Sequence, residues 1–325
     1  MTSRLAAQLL AGPKATSVLE VLQRCVAVQS QELRAGHLGI RARSSGLTVA
    51  DVDEALATRA AVVTWVNRGT LHLVRADDYA WLHALTTPQL TTGNATRLRQ
   101  EGVSTSQASK AVPVIAKALA DGPLTRAELR EVLDRRGIPT AGQALVHLLM
   151  KATLAGVCVR GPMVGREQAF VLVADWLGRQ PKVSRATALS ELGARYLAGH
   201  GDGTDRDLAK WAGIGLRDAR VALADARPPE YDDVTDAGPQ LLGPWDELLL
   251  GWESREDILS GAPSVAGSVV TVNGIFKPIA LVRGRAVATW TVSSGELQPF
   301  AELPATVTRA LAREYADVQR FLGWR

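Results

Sequence analysis

The stretch Leu19–Glu32, LEVLQRCVAVQSQE, decides how the N-terminal third of the chain is read. Val18, Leu22, Cys25, Val26 and Gln29 follow a 3.6-residue spacing, so a continuing helix would put Gln29 where an apolar residue belongs, with Gln31 facing the other way. If the helix instead ends near Gln29 and the chain turns extended, residues two apart share a face and both amides can enter one cavity. A neutral amide carries one acceptor and two donors, enough to hold and polarise a water without carrying charge. The plainer alternative is a solvated glutamine pair at a frayed helix end.

Outward from this stretch, Leu5–Leu10 and Val18–Gln29 read as two helices broken by Gly12-Pro13, and RAGHLGIRARSSG (34–46) reads as a basic loop. Thr48 and Asp51 form a variant capping box for a short helix to about Leu56, with Leu47 stapled onto Val52. Ala61–Val66 and Thr70–Val74 are β-branched runs joined through Asn67-Arg68-Gly69, a hairpin with Arg68 at its tip, and Asp77–Leu85 closes the unit as a helix. Helix, helix, helix, hairpin is the order of a winged helix.

The order recurs. Ser106–Leu119 is a helix, Thr125 and Glu128 form a full capping box, Leu145, Leu148, Leu149 and Ala152 mark a further helix, and strands Val157–Arg160 and Gln168–Val173 flank a wing at 161–166. A shorter third copy has helices at Thr187–Leu197, from Thr204 with Asp207, and at Leu216–Ala226. From Gln240 the texture changes: LLGPWDELLLGW precedes short alternating runs at Val269–Val272, Ile279–Val282 and Ala286–Val292, with Asn273-Gly274 and Arg283-Gly284 turns, and a final amphipathic helix spans Pro304–Leu322. The expected fold is mainly α with small β: tandem winged-helix (helix-turn-helix) units over 1–100, 101–180 and 181–239, then a β-barrel-like module with its C-terminal helix over 240–325. The units are related without being a strict repeat.

Composition narrows the function. At 325 residues and 46% hydrophobic content the chain can build ordinary packed cores, and no apolar run approaches a membrane span or the pattern of a secretory signal, so a soluble cytoplasmic monomer is expected. Cys25 and Cys158 lie far apart inside apolar segments, which suits buried thiols, and His37, His72, His83, His147 and His200 are scattered without metal-ligand spacing. No metal and no cofactor are expected. The net charge of +4, carried mostly by Arg, suits phosphate contacts, and several helix-turn-helix units in one chain suit a clamp around duplex DNA. Arg41 and Arg43 in the basic stretch, Arg68, Thr70 and His72 on the first hairpin, and Arg283 and Arg285 at the late turn are the candidate DNA contacts; a wing arginine, an ordinary strand histidine and solvated arginines are the competing readings. Asp246 and Glu247, acidic within an apolar run, fit a capping or core ion-pair role better than a catalytic one.

Four motifs in order, Gln29-Ser30-Gln31, RGTLHLV (68–74), LLGPWDELLLG (241–251) and NGIFKP (273–278), together resemble the AlkZ-type winged-helix DNA glycosylases over nearly the whole chain. The resemblance implies tandem winged helices with a β-barrel, and excision of alkylated purines from duplex DNA, including crosslinked N7-alkylguanines left by natural genotoxins. It also implies a bacterial repair protein, nucleoid-associated when bound. Gln29 and Gln31 match the outer positions of that family's catalytic motif, whereas Ser30 departs from its usual aliphatic middle. N7 alkylation makes the base its own leaving group, so a water placed at C1′ by two amides would suffice through an oxocarbenium-like transition state. The non-enzymatic alternative is a winged-helix DNA-binding protein or transcription regulator.

Overall fold

The structure is a computed structural model that describes residues 2–231, 237–259 and 263–324. Along the chain run α1 (Thr2–Ala7), α2 (Val18–Cys25), β1 (Ala27–Gln29), α3 (Leu33–Arg43), α4 (Val49–Ala57), β2 (Ala61–Val66), β3 (Thr70–Arg75), α5 (Tyr79–Thr86), α6 (Leu90–Gln100), α7 (Thr105–Leu119), α8 (Arg126–Asp134) and α9 (Ala144–Leu154). There follow β4 (Cys158–Val164), β5 (Glu167–Leu172), α10 (Val173–Trp176), α11 (Arg185–His200), α12 (Asp205–Ala212), α13 (Leu216–Leu223), β6 (Gln240–Leu242), α14 (Glu247–Leu250), α15 (Pro263–Val269), β7 (Ile279–Val282), β8 (Arg285–Trp290), β9 (Leu297–Pro299) and α16 (Ala305–Leu322). The fold is rich in helix and carries small antiparallel sheets. Its residues form two compact units that do not follow chain order: one gathers residues up to Val52, Leu189–Trp211 and Gly215 onward, the other Asp53–Ala188 with Ala212–Ile214.

The second of these units is built from local signals. Thr125 accepts the Glu128 N–H at 3.3 Å while its own N–H donates to the Glu128 carboxylate at 2.7 Å, and Ser104 with Gln107 does the same for α7, so two orphan donors are satisfied at each helix start. β2 and β3 pair antiparallel from Ala61↔Arg75 to Val66↔Thr70, turned by Asn67 and Gly69 at φ 53° and 85°. Within this unit the strand order is β3-β2-β4-β5, with a register shift where Gly161-Pro162 interrupts β4. Helix α6 has no counterpart in the sequence reading. LTTGNATRLRQ has little apolar period, and the helix is fixed instead by a polar pair, Asn94 Nδ2 donating to the His147 carbonyl at 3.1 Å and His147 Nδ1 lying 2.8 Å from Asn94 Oδ1.

The other unit packs its N-terminal helices against the C-terminal half. One core joins Leu5 and Leu10 to Leu248, Leu249, Trp252, Ile279 and Leu281; a second joins Leu38 to Leu241, Trp290, Leu311 and Val318. The expected barrel-like module is an open meander, ordered β6-β7-β8-β9, which does not close among the described residues. The strand expected at Val269–Val272 is also corrected: α15 runs through Val269, and only Val270 bridges, to Phe276, around a tight turn at Asn273-Gly274.

The basic loop expected at 34–46 is helix α3, and its glycines are contact points rather than breaks. A Cβ on Gly36 would lie 2.1 Å from Ser30 Oγ, and one on Gly39 2.8 Å from a Val28 methyl, so α3 lies directly against the segment that carries the glutamines. Its arginines are corrected in turn. The Arg41 side chain is buried, its guanidinium held by Glu314 and Asp317, both at 2.8 Å, and by the Leu241 carbonyl at 3.1 Å. Arg43 is fully buried: its two terminal nitrogens donate to the two oxygens of an equally buried Asp246 at 2.9 and 2.8 Å, and further to the Gly39 carbonyl and Gln8 Oε1. A sequence reading sees two arginines two apart and infers a phosphate contact; the fold uses both as internal staples.

Two stability outcomes follow from α3. Gly36→Ala should destabilise by about 1–3 kcal/mol, the usual cost of overpacking, despite the better helix propensity of Ala, and the loss should shrink in a Ser30→Ala background because the clashing oxygen is gone; thermal melts of the four proteins measure this, and an additive result would sink it. Asp246→Ala leaves a buried guanidinium uncompensated and should cost about 3–5 kcal/mol in urea unfolding.

Candidate active site

The glutamine segment owes its shape to a sharp break in α2. The helix ends at Cys25, and Val26 takes φ 66° and ψ −55°, the strained γ-turn region, with its N–H still reaching the Leu22 carbonyl at 2.8 Å. For a β-branched residue this conformation costs on the order of 1–3 kcal/mol and persists only where the surroundings impose it. Val26 is fully buried, and the chain leaves it as the extended strand β1, so the helix ends four residues earlier than the sequence reading put it and the extended run stops at Gln29 without reaching Gln31.

Gln29 ends β1 and is buried, Ser30 is buried with its hydroxyl donating to the Val28 carbonyl at 3.1 Å, and Gln31 is exposed. What fixes the segment is Glu247, at the start of α14. One of its carboxylate oxygens accepts the Gln29 backbone N–H at 3.0 Å and the other accepts Trp211 Nε1–H at 3.0 Å, while the residue is 1% exposed. Its neighbour Asp246 caps α14, taking the Leu248 N–H at 2.9 Å, as well as holding Arg43. The acidic pair is therefore structural, as its apolar setting suggests, but Glu247 acts directly behind a catalytic candidate. The signal was an Asp-Glu dipeptide inside an otherwise apolar run; its two partners, far away in sequence, could not be read from it.

Behind Trp211 lies an aromatic cluster. His200 stacks on Tyr196 at 4.2 Å between ring centroids and meets Trp211 and Trp252 edge-on, each at 5.1 Å. Its Nδ1–H must donate to the Tyr196 carbonyl, 3.0 Å away, and burial pushes its pKa down to about 3, so the ring is neutral. Burial and the charge of Arg34 lower His37 to about 4. The unit that holds the glutamines thus carries neutral imidazoles and a buried carboxylate on the backbone of the glutamine strand.

The remaining candidates separate by exposure. His72 is fully buried in β3, its Nδ1–H donating to the Thr70 carbonyl at 3.0 Å, and burial together with Arg68 lowers its pKa to about 3; the structure removes it from the set of direct DNA contacts. Arg68 and Thr70 remain half-buried at the hairpin turn, where the backbone of Gly213 closes on Asn67 and Arg68. Arg283 and Arg285 are exposed at the β7–β8 turn, with Arg283 at φ 50° and Gly284 at φ 78° as a two-residue hairpin requires. The cysteines are buried thiols, raised by desolvation to about 11 at Cys25 and about 12 at Cys158.

Comparison with known proteins agrees with this architecture. The chain is 27% identical over 345 residues to an interstrand DNA cross-link repair glycosylase of Streptomyces sahachiroi, covering 94% of this chain and 91% of that protein. Its fold superimposes on the solved structure of the Streptomyces sahachiroi DNA glycosylase AlkZ with a TM-score of 0.78 at 23% identity, covering 99% and 95% of the two chains. The family profile described as DNA glycosylase AlkZ-like matches residues 22–321, which include both glutamines and the Asp246-Glu247 pair, and the chain belongs to that family.

Proposed function

We propose that this chain is a monofunctional, cofactor-free glycosylase that hydrolyses the N-glycosidic bond of N7-alkylated purines in duplex DNA, with Gln29 and Gln31 positioning the attacking water. The observation that carries the reading is the tether on Gln29: a strained turn before it and a buried carboxylate on its backbone N–H hold its main chain in a set place, with a second glutamine two residues on at the surface. Strain and buried charge of this kind are retained where geometry matters more than stability. The alkylated base leaves without needing a strong acid, so two amides that orient a water's lone pair at C1′ are sufficient chemistry.

Glu247 adds an electrostatic contribution in this reading. A carboxylate held in a low-dielectric interior projects negative potential towards the growing oxocarbenium charge, and its two N–H donors keep it from moving to the reacting centre as a nucleophile. The name of the Streptomyces sahachiroi relative brings interstrand crosslinks into the substrate range, as bulky N7 adducts of the same chemical type. The β2–β3 and β4–β5 hairpins act as wings, and Arg68, Thr70, Arg283 and Arg285 are the backbone contacts retained from the sequence reading. Arg41 and Arg43 are not among them.

The experiment is single-turnover release of free base from a duplex carrying N7-methylguanine, with alkali-sensitive abasic sites as the second readout. Gln29→Ala and Gln31→Ala should each slow release by roughly 30- to 1000-fold, the scale of a lost transition-state hydrogen bond, and the double variant should lose less than the sum because both amides hold one water. Wild-type rates in both folded single variants would place the water elsewhere. A protein that binds the duplex yet releases no base at all would be the non-enzymatic DNA-binding alternative.

A further inference from the structure

One face of the β2–β4–β5 sheet gathers cations without counter-charges. A single cross-strand row runs Val63, Arg160, Phe170, and on the far side of Phe170 Leu124, just before α8, bridges to it with reciprocal N–H bonds at 3.1 and 2.7 Å. The Arg160 guanidinium lies over the rings of Phe170 and Trp65, 5.3 and 5.4 Å from their centroids, and both rings are buried, so two aromatic side chains set its place. Arg126, two residues past Leu124, opens α8 and is close enough for its charge to act on Arg160. Gln168 precedes Phe170 by two residues on β5 and shares its face.

These three side chains have donors and no acceptor among the described residues. Arg126 Nε, Arg160 Nε and Gln168 Nε2 are buried without a hydrogen-bond partner, and Gln168 is 9% exposed. Buried polar groups are ordinarily paired, as Arg41 is with Glu314 and Asp317, and Arg43 with Asp246. The carboxylate at the start of α8, Glu128, is turned onto the Thr125 N–H and hydroxyl, each at 2.7 Å. Burial and the charge of Arg126 bring the Arg160 pKa down to about 10, and no carboxylate opposes that shift. The fold thus holds two like charges together where water only partly reaches them, and an anion would offset the cost. Both arginines are partly exposed, so an anion can approach from solvent. Two guanidinium forks and an amide N–H suit the oxygens of a phosphate, and the first two N–H groups of α8 point the same chemistry outward, since Thr125 takes only the third.

We propose that Arg126, Arg160 and Gln168 form a phosphate-binding site, and that the phosphate it takes is a backbone phosphodiester of the DNA duplex. The choice of DNA rests on the glycosylase reading, in which a helix start and the hairpin beside it are places where a helix-turn-helix module meets the backbone. The same donors would hold a free phosphate ester, so two arms separate the sources. In the first, the full-length protein and its Arg126→Gln, Arg160→Gln and doubly substituted variants bind undamaged and N7-methylguanine duplexes, followed by fluorescence anisotropy between about 50 and 200 mM salt. Loss of one phosphate contact in the double variant should lower the slope of log K against log salt by about 0.9 and weaken both duplexes equally, on the order of tenfold, with partial recovery in Arg126→Lys. Single-turnover base release at saturating protein should stay at the wild-type rate, because a backbone contact away from the lesion adds to binding and not to chemistry.

In the second arm, inorganic phosphate and ribose 5-phosphate are titrated calorimetrically into wild type and variants. Binding of these that the variants lose, with duplex affinity and slope unchanged, would overturn the DNA source in favour of a free ester. No change in either arm overturns the site and leaves Arg160 as a guanidinium held by its two rings alone. Should the Arg160 variants lose their fold, the unaltered protein is treated with phenylglyoxal, which modifies arginine, and the adducts are mapped by mass spectrometry. Undamaged duplex should protect Arg126 and Arg160 together, and equal modification of both with and without duplex overturns the proposal. Binding of undamaged duplex requires no base release, so a wild-type protein that binds but releases no base sinks the glycosylase reading and leaves the phosphate site standing.

Discussion

Two consecutive buried carboxylates bind together parts of the chain that lie some two hundred residues apart. Asp246 meets Arg43 at the end of α3 and Glu247 meets the backbone of Gln29 at the end of β1, with sequence separations of 203 and 218 residues. Neither charge has solvent to fall back on, so each must be fully partnered or removed. Asp246 satisfies this with a bidentate guanidinium and a helix cap; Glu247 does so with a backbone N–H and an indole N–H. Everything between the two contacts, which is Ser30, the close glycine face of α3 and Arg41 with its own carboxylates on α16, is positioned by that pair of anchors.

The electrostatic character of the unit follows from what is buried in it. His37 and His200 are held neutral by desolvation, Arg43 is paired in place with Asp246, and the carboxylate nearest the glutamine strand accepts a backbone N–H and an indole N–H. The proposed reaction is one in which positive charge appears on a sugar without a proton being delivered. It differs from the paired-carboxylate plan of most glycoside hydrolysis, where one acid must protonate the leaving group. An alkylated purine has no need of that acid.

What was legible in the sequence was local. Capping boxes at Thr125 and Thr204, the Asn67-Arg68-Gly69 hairpin and the long amphipathic α16 depend on residues within a few positions of each other, and their chemistry is visible in a short window. The misreadings concern partners far away. The glycines of α3 resemble loop residues until Ser30 and Val28 are seen against them, Arg41 and Arg43 resemble phosphate ligands until Glu314, Asp317 and Asp246 arrive, and α6 shows no periodicity because a side-chain pair with His147 fixes it. The glutamines stood out because polarity occupied an apolar phase. The buried acid that holds one of them did not, since its donors belong to β1 and α12.

The discontinuous makeup of the glutamine-bearing unit also governs when that unit can exist during synthesis. Residues up to Val52 emerge first, yet Gln29 gains its carboxylate only after 218 further residues have been made, which at ribosomal rates is roughly 10 to 40 s later. Throughout that interval the strained valine turn lacks the contact that holds its far side, and Leu5 and Leu10 wait for Leu248, Leu249 and Trp252. A chain that ends before Glu247 therefore carries the two glutamines on a segment without that anchor.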